Sequence, residues 1–228
     1  MAKRFFIAGT DTDVGKTAIA AALLVAAKQQ GMRTLALKPV AAGAMKTDAG
    51  LRNDDALILQ SQMTVSLGYE QINPVVLEPA IAPHIAARQA GRRLTVSQLA
   101  GLCRGALMTA HDFALIEGAG GWRVPLNERE TLAGLALEMQ LPVILVVGMR
   151  LGCLNHALLT AEAIRRDGLT LAGWVANSID PSMSCPDENF DTLKAFLPAP
   201  CLGRIPRIEK AAPEQIAGHL EITPLLGK

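Results

Sequence analysis

Short apolar runs alternate along this chain with longer stretches in which apolar residues recur at helical spacing. The apolar runs are bounded by glycine, proline or charged residues, which is the pattern of buried strands. They predict six strands, at residues 4–8, 34–37, 113–116, 142–147, 172–176 and 201–205. The intervening stretches predict six helices, at residues 16–30, 54–62, 96–110, 132–139, 155–166 and 189–196. Because parallel strands need helical crossovers, the pattern predicts an α/β fold with a mostly parallel sheet and helices on both faces.

The first predicted helix is apolar on nearly all sides as far as Lys28, so we expect it to be buried against the sheet. Gly31 follows that helix and is a typical C-cap residue. The proline-containing segments at 74–83 and 181–186 are predicted to be loops within the domain. Since no repeat, low-complexity tract or linker interrupts the pattern, residues 1–228 are predicted to form a single domain.

The composition narrows the classes of function. Apolar residues make up 50% of the chain and aromatic residues only 4%, so the core must be aliphatic. A net charge of +1 gives no support to nucleic-acid binding. The apolar run at 18–27 is too short to span a bilayer, and the one near the N terminus is too short for a signal peptide. The four cysteines are too widely spaced for a zinc or redox pair. We therefore expect a cytoplasmic enzyme with no membrane or nucleic-acid partner.

The segment at 9–17, GTDTDVGKT, follows a predicted strand and opens a predicted helix. This context is the one that a phosphate-binding loop requires, because loop N–H groups and the helix N-terminus then face the phosphates. Lys16 supplies a charge to the outer phosphates, and the Thr17 hydroxyl is suited to Mg²⁺. The spacing departs from the usual pattern, since five residues rather than four separate Gly9 from Gly15. The segment predicts a P-loop NTPase fold that binds a magnesium nucleotide.

A second candidate site follows the strand at 113–116. Glu117 ends that strand, and a glycine-rich loop at 118–121 comes next. Ligands of α/β sheets bind beyond the carboxyl ends of the strands, so Glu117 is expected near the metal. The glycines do not form a dinucleotide fingerprint, because Arg123 stands where the last glycine belongs. The alternative interpretation is a solvated carboxylate at the end of a strand.

Two further charged groups lie near predicted strand and helix ends. Lys38 ends the strand at 34–37 and precedes Pro39, so it points to the same sheet edge. It is suited to hold the transferring γ-phosphoryl group or an anionic substrate, although a lone lysine at a strand end is more often a surface residue. Asp54 and Asp55 precede a helix, and either of them could simply cap it.

Two late segments suggest ligand contacts. Asn177 ends a strand, and its amide offers both a donor and an acceptor to a nucleobase. The segment at 177–180, NSID, half-resembles a guanine-reading motif, but Ser178 replaces the lysine of that motif, which favours ATP. The segment at 148–156 runs from a strand into a helix whose free N–H groups can bind an anion. His156 is interpreted as a structural histidine.

Together these segments resemble the dethiobiotin synthetase family over almost the whole chain. The matching stretches lie at 9–17, 38–40, 50–53, 117–122, 141–148, 151–156, 173–177 and 202–206. The resemblance implies closure of the ureido ring of dethiobiotin from 7,8-diaminononanoate, CO₂ and ATP, with release of ADP and phosphate. It also implies Mg²⁺ as cofactor, ATP as co-substrate and a homodimer. Phosphoryl transfer of this kind depends mainly on positioning and charge neutralisation.

Residue by residue, the resemblance implies a role for each matching position. The metal ligands would be Thr17, Asp55 and Glu117, and the catalytic residues Lys16, Lys38 and Thr12. The nucleotide site would comprise Asp13, Val14, Gly15, Lys16, Thr17, Ala18, Asp55, Glu117, Gly118, Ala119, Gly120, Asn177, Ser178, Pro206, Arg207 and Ile208. Within it, Asn177 would read adenine. The substrate site would comprise Ala42 together with Gly152, Cys153 and Asn155, which would bind the substrate carboxylate across a dimer interface.

The chain departs from the family pattern at two positions. Ala41 and Ala42 stand where the family usually has a hydroxyl residue before Gly43, which would remove a hydrogen bond to the carbamate. Such a loss would lower activity or mark a paralogue with another substrate. Arg207 stands where an apolar residue is common, which leaves the nucleotide preference open.

Two rival classes share this loop type. Partition and division-site switch ATPases carry a lysine five residues before the loop lysine, where this chain has Asp11, and often end in a basic amphipathic helix, which residues 221–228 do not form. Cobyrinate-amidating enzymes need an added glutaminase domain, for which 228 residues leave no room. A dethiobiotin synthetase is therefore the favoured interpretation.

Overall fold

A computed structural model describes residues 2–227 of the chain as a central sheet flanked by helices. The strands are β1 (Lys3–Gly9), β2 (Thr34–Leu37), β3 (Val40–Ala42), β4 (Met45–Thr47), β5 (Gly50–Arg52), β6 (Val75–Leu77), β7 (Phe113–Gly121), β8 (Val143–Met149), β9 (Leu171–Ser178) and β10 (Cys201–Ile205). Six of them form the main sheet in the order β10-β9-β8-β1-β7-β2, and every pairing within it is parallel. The predicted α/β fold with a parallel sheet is confirmed.

The helices lie on both faces of this sheet, as predicted. They are α1 (Lys16–Gln29), α2 (Asp54–Gln62), α3 (Tyr69–Ile72), α4 (Pro83–Gln89), α5 (Val96–Ala106), α6 (Ala133–Glu138), α7 (Cys153–Arg166), α8 (Pro186–Phe196), α9 (Pro213–Ala217) and α10 (Thr223–Leu226). Among residues 2–227, none of these helices is long and apolar enough to cross a membrane.

Several predicted boundaries were wrong, for local reasons. The helix predicted at 96–110 ends at Ala106, because the chain then tightens into i→i+3 hydrogen bonds from Met108 and Thr109. Helix α8 begins at Pro186, where a missing N–H costs nothing. Strand β7 extends to Gly121, since Gly121 pairs with Gly9 of β1.

Part of the segment predicted as a loop at 74–83 forms a strand and the first residue of a helix. Residues Val75–Leu77 form β6, which pairs in parallel with β3, and α4 begins at Pro83. A separate hairpin is formed by β4 and β5. These strands have three residues each, which is too short for an alternation of apolar and polar positions to be recognised in the sequence.

Two apolar clusters fill the spaces between the sheet and its helices. Successive residues of β1 alternate between them, so that Phe6 and Ala8 enter one cluster and Phe5 and Ile7 the other. Helix α1 belongs to the second cluster and is buried from Ile19 to Ala27. Burial of each large aliphatic side chain contributes about 1.5–3 kcal/mol, which fixes α1 beneath the sheet. The predicted buried first helix is thus confirmed.

Strand direction determines where the polar groups collect. Because all six strands of the main sheet run in parallel, their carboxyl ends lie at one edge. That edge carries the loop after β1, Lys38 after β2, Glu117 within β7, Arg150 after β8 and Asn177 near the end of β9.

Candidate active site

A groove of about 880 Å³ opens at this carboxyl edge of the sheet. Its lining contains many of the predicted site residues: Thr12, Asp13, Gly15, Lys16, Thr17, Lys38, Ala42, Asp55, Glu117, Ala119 and Gly120. They come from the loop after β1, the start of α1, the end of β2, β3, the start of α2 and β7, which are far apart in sequence. The groove also includes the segments at 80–83 and 124–125, which were not predicted as part of the site.

The loop between β1 and α1 has the form expected for phosphate binding. Gly15 has a left-handed backbone (φ 88°), and Lys16 begins α1, so the helix N-terminus faces the groove. The Lys16 Nζ donates to the backbone oxygen of Asp11 at 3.0 Å. A Cβ at Gly9 would lie 2.8 Å from that same oxygen, so this position needs glycine.

A buried charged cluster lies beside the loop. The Lys38 Nζ lies 2.5 Å from Glu117 Oε1 and 3.1 Å from Asp55 Oδ2. It also donates to the backbone oxygen of Gly118 at 3.2 Å. The Thr17 hydroxyl donates to the same Glu117 Oε1 at 2.8 Å. Lys38 and Glu117 are only 3% and 1% exposed, so the alternative interpretations as surface groups were wrong.

The second carboxylate oxygen of Glu117 has no such partner. Its Oε2 is buried and makes no hydrogen bond to any residue in the range 2–227. Buried carboxylate oxygens are rarely left without a partner, because desolvation without compensation costs about 1–3 kcal/mol or more. The lone pairs of this oxygen are therefore not used by the protein and can bind a ligand in the groove.

The charges in the cluster shift one another's pKa values. Burial acts to lower the pKa of Lys38, but the charges of Glu117 and Asp55 outweigh it and raise that pKa above its ordinary value. Burial acts to raise the pKa of Asp55, whereas the charge and hydrogen bond of Lys38 bring it below its ordinary value. Burial, followed by repulsion from Lys38, lowers the pKa of Lys16 to about 8. Lys38 and Asp55 are thus held charged near neutral pH.

A series of hydrogen bonds between buried polar residues supports this cluster, and these bonds were not predicted from the sequence. The Asn73 amide donates to the backbone oxygen of Lys38 at 2.6 Å, and the Tyr69 hydroxyl donates to Asn73 Oδ1 at 2.9 Å. The Asn53 backbone N–H donates to the Tyr69 oxygen at 2.7 Å. All three side chains come from residues that are buried. In the sequence these residues are visible only as polar positions near apolar runs. Which of them hydrogen-bond to one another depends on tertiary contacts.

Asn53 connects these hydrogen-bonded residues to the start of α2 and to Ala42. Its side chain accepts from the Ala56 N–H and caps α2, so the alternative that Asp54 or Asp55 caps the helix was wrong. The same side chain donates to the backbone oxygen of Ala42 at 3.3 Å. Asp55 is thereby free to face Lys38.

The phosphate loop is also tied to the strands on its other side. Arg150, which follows β8, forms an ion pair with Asp11 in the loop. The other oxygen of Asp11 accepts from the Thr12 N–H at 2.8 Å. Both residues lie in segments singled out from the sequence, at 9–17 and 148–156, but their ion pair was not predicted. The pair connects the loop to the segment that leads into α7.

Asn177 contacts the loop as well. Its amide donates to the backbone oxygen of Val14 at 2.9 Å, and a Cβ on Gly15 would clash with that amide nitrogen. One donor of the amide is therefore used to hold the loop. The Val14 side chain is fully buried in the core, and Ala18 is exposed on α1.

Eleven predicted residues lie outside the groove lining: Val14, Ala18, Gly118 and Asn177, described above, and seven more. Ser178 ends β9 opposite Met149. Arg207, which is exposed like Pro206 and precedes the half-buried Ile208, donates to the backbone oxygen of Ile179 at 3.0 Å. Gly152 has a left-handed backbone (φ 93°) at the start of α7, where Cys153 is buried and Asn155 is exposed. None of these seven residues lines the groove of its own chain.

The chain is similar to known proteins over almost its whole length. The family described as "AAA domain" matches residues 3–215. An ATP-dependent dethiobiotin synthetase of Cellvibrio japonicus is 61% identical over 224 residues, covering 98% of each chain. Proteins of the same description from Pseudomonas aeruginosa and Marinobacter nauticus are 58% and 54% identical, covering 97% and 99% of each chain.

Solved structures share the fold at lower identity. The septum site-determining protein MinD of Pyrococcus horikoshii has a TM-score of 0.59 at 18% identity, covering 98% of this chain and 89% of that one. A ParA family ATPase of Chlorobium tepidum has a TM-score of 0.56 at 14% identity, covering 100% and 94%. At these identities the likeness extends to the fold alone.

Proposed function

Because this chain belongs to the ATP-dependent dethiobiotin synthetase family, we propose that it closes the ureido ring of dethiobiotin. The substrates are 7,8-diaminononanoate, CO₂ and ATP, and the products are dethiobiotin, ADP and phosphate. The observation that carries this assignment is the identity of 54–61% over almost the full length. The groove supports it, because it joins a phosphate loop to a second buried lysine and two carboxylates.

The reaction divides into three steps. One amine of the substrate attacks CO₂ and loses a proton, which gives a carbamate. An oxygen of the carbamate then attacks the γ-phosphorus of ATP, and ADP leaves. Finally the second amine attacks the carbonyl carbon of the mixed anhydride, phosphate leaves, and the ring closes. Each step develops or moves negative charge, so fixed cations at the reacting end lower the barrier.

The phosphate loop binds the nucleotide. The N–H groups at the start of α1 and the Lys16 ammonium face the groove and neutralise the phosphates. Nucleotide phosphates would also stabilise the charged form of Lys16, whose pKa is lowered to about 8 without them. The remaining positions of the predicted nucleotide site, including Ser178 and residues 206–208, belong to this proposal as the surroundings of the base.

The donor set beside the loop fits Mg²⁺. Among residues 2–227, no group of three or more His, Cys, Asp or Glu side chains is placed to hold a metal. Mg²⁺ uses one or two carboxylates together with phosphate oxygens and water, which matches Asp55, Glu117 and the Thr17 hydroxyl. The unpartnered Oε2 of Glu117 gives such an ion an oxygen without displacing a hydrogen bond. When bound, Mg²⁺ would neutralise phosphate charge.

Lys38 is proposed to act at the reacting end of the nucleotide. It comes from a different strand from the loop, and its pKa is raised, so it stays cationic over the working pH range. An ammonium group in a buried site stabilises developing negative charge more strongly than one in water. Its present partners, Glu117 and Asp55, hold it at the floor of the groove until an anion is available.

The carboxylate of the substrate is proposed to bind at the start of α7 of a partner chain in a homodimer. Gly152, Cys153 and Asn155 do not line the groove of their own chain, so in this proposal a second copy brings them to it. The apolar side chains around them support an interface, because Leu151 is 93% and Leu159 57% exposed. Residues 1–228 would act as one domain in each protomer.

Ala42 lines the groove without a side-chain hydroxyl, which fits either a weaker carbamate site or a different diamine or carboxylate substrate.

The switch-ATPase alternative has only the fold in common with this chain, at 14–18% identity. We propose a cytoplasmic location, as expected for an enzyme of cofactor synthesis that uses ATP.

Direct turnover tests the proposal. The purified chain is incubated with 7,8-diaminononanoate, bicarbonate and Mg-ATP, and the ring product is scored by mass. We expect dethiobiotin and one ADP per ring. Release of phosphate that does not depend on the diamine, with no ring product, would favour a switch ATPase instead. Turnover of a different diamine with ADP release would identify a paralogue.

A further inference from the structure

A second cavity, of about 800 Å³, lies beside the groove and is strongly basic. We call it the arginine cavity, defined by His84, Arg88, Arg92, Arg93 and Arg129. It shares Pro125 with the groove, and His84 follows Pro83 of the groove lining. Its arginines belong to none of the sites described above.

The charge of the arginine cavity is largely uncompensated. Four arginines line it, all of them exposed, against a single acidic residue, Glu128. Across residues 2–227, none of these four arginines forms an ion pair with a carboxylate. By contrast, Arg33, Arg104, Arg123, Arg150 and Arg204 each do. Like charges that face one space repel one another, so an anion there would lower the free energy.

The two walls of the arginine cavity are held in fixed relation. One wall is α4 with its C-terminal turn, where Arg92 N–H donates to the Ala87 oxygen at 2.8 Å. The other wall is the turn at 127–130, in which Asn127 Oδ1 accepts from the N–H groups of Arg129 and Glu130. The Asn127 amide donates to the Leu94 oxygen at 2.7 Å and joins the walls.

One polar atom in the arginine cavity lacks a partner. The Nδ1 atom of His84 is buried and makes no hydrogen bond within the described part of the chain. Buried polar atoms are nearly always hydrogen-bonded, so the unpartnered ring nitrogen of His84 favours a ligand at this site.

From these observations we propose that the arginine cavity binds a small anion with two or more phosphate groups. Guanidinium groups match phosphate oxygens in planar, two-bond geometry. The cavity volume lies within the range of ligand sites and far exceeds that of one phosphate group. Arginines on both walls favour an anion long enough to reach each. Such an anion is either free diphosphate or the phosphate chain of a nucleotide.

Calorimetry on the full chain tests the proposal, with inorganic diphosphate as the probe in metal-free buffer. The Lys16→Ala variant is used as the background, because the phosphate loop would otherwise bind the probe as well. In that background we expect one binding event per chain, weakened by about tenfold or more in Arg88→Ala/Arg92→Ala. Arg129→Ala, on the opposite wall, should weaken it too. Arg165→Ala, an exposed arginine of α7, is the matched control and should leave it unchanged.

The outcomes separate the sources of the anion and do not depend on ring closure. Binding of diphosphate but not of ATP in the Lys16→Ala background identifies a free anion, whereas binding of both identifies a nucleotide. Absence of binding by either probe overturns the proposal. So does binding that the cavity variants leave unchanged while circular dichroism shows them folded.

Discussion

Lys38 and Glu117 form a buried ion pair, with 2.5 Å between Nζ and Oε1, although 79 positions separate them in sequence. They meet because β2 and β7 are neighbours in the sheet, and both side chains lie at the carboxyl edge. In the proposed reaction Lys38 acts at the γ-phosphoryl group and Glu117 is a ligand of Mg²⁺, so the pair connects the two. A change at Lys38 should therefore affect the chemical step.

Lys38→Met, which keeps most of the side-chain volume, should reduce kcat by about 100-fold or more while the Kd of ATP changes little. Lys28→Met, at the exposed end of α1, is the control. Single-turnover kinetics and nucleotide titration measure the two quantities. Equal losses in kcat and in ATP affinity would contradict the assignment of Lys38 to the reacting end.

The phosphate loop provides a second prediction. Lys16→Ala should lower turnover by about 100- to 1,000-fold, since a lost charge on the phosphates costs about 3–4 kcal/mol of transition-state binding. Thr17→Val should instead raise the Mg²⁺ concentration needed for half-maximal turnover, because the side chain loses its oxygen at constant volume. Thr192→Val, on α8, is the control. Near-normal turnover of Lys16→Ala would mean that the nucleotide site lies elsewhere.

Ala42 offers a gain-of-function test. Ala42→Ser adds one hydroxyl to the groove, and a hydrogen bond to the carbamate would contribute about 0.5–1.5 kcal/mol. We expect kcat/KM for the diamine to rise by about two- to tenfold. Ala49→Ser, in the exposed turn between β4 and β5, is the control. A large fall in activity would indicate that the groove is shaped for another substrate.

The homodimer is tested by complementation. Asn155→Asp places a like charge beside the substrate carboxylate, so it should raise the KM of the diamine strongly and leave ATP binding intact. Mixed with Lys16→Ala, it should restore about a quarter of wild-type turnover, because half of the dimers are mixed and each has one intact site. No recovery despite mixed dimers, or full activity of a monomer, would rule the arrangement out.

The ion pair of Asp112 and Arg33 gives a prediction about acid stability. Asp112 accepts from the Arg33 N–H at 2.9 Å and from its guanidinium at 3.0 Å, and these bonds hold the pKa of Asp112 well below its ordinary value. A carboxylate with a lowered folded-state pKa contributes stability above its unfolded pKa, about 3.9, and loses it as the pH falls toward the folded value.

Asp112→Asn should therefore lower the free energy of unfolding at pH 7, and the difference from wild type should shrink at pH 3. Urea denaturation at both pH values measures it. Asp191→Asn, an exposed carboxylate of α8, is the control and should show neither effect. A difference that stays constant between the two pH values would show that the carboxylate charge is not responsible.

The sequence by itself determined the fold class, the main strands and the phosphate loop. These features rest on local order: the apolar runs are continuous, the helices are periodic, and GTDTDVGKT lies between a strand and a helix. The predicted strands at 34–37 and 201–205 match β2 and β10. Features with no local period were missed, such as β3 and β6, whose pairing spans residues 40–77.

Only the tertiary structure decided which groups meet. The contact of Lys38 with Asp55 and Glu117, and the chain from Asn53 through Tyr69 to Asn73, join side chains whose positions depend on strand order and helix packing. The same holds for the arginine cavity, whose walls come from segments about forty residues apart and are joined through Asn127. A one-dimensional pattern specifies which face of an element is buried. Distances between elements follow from how those buried faces pack, and packing is a property of the whole chain.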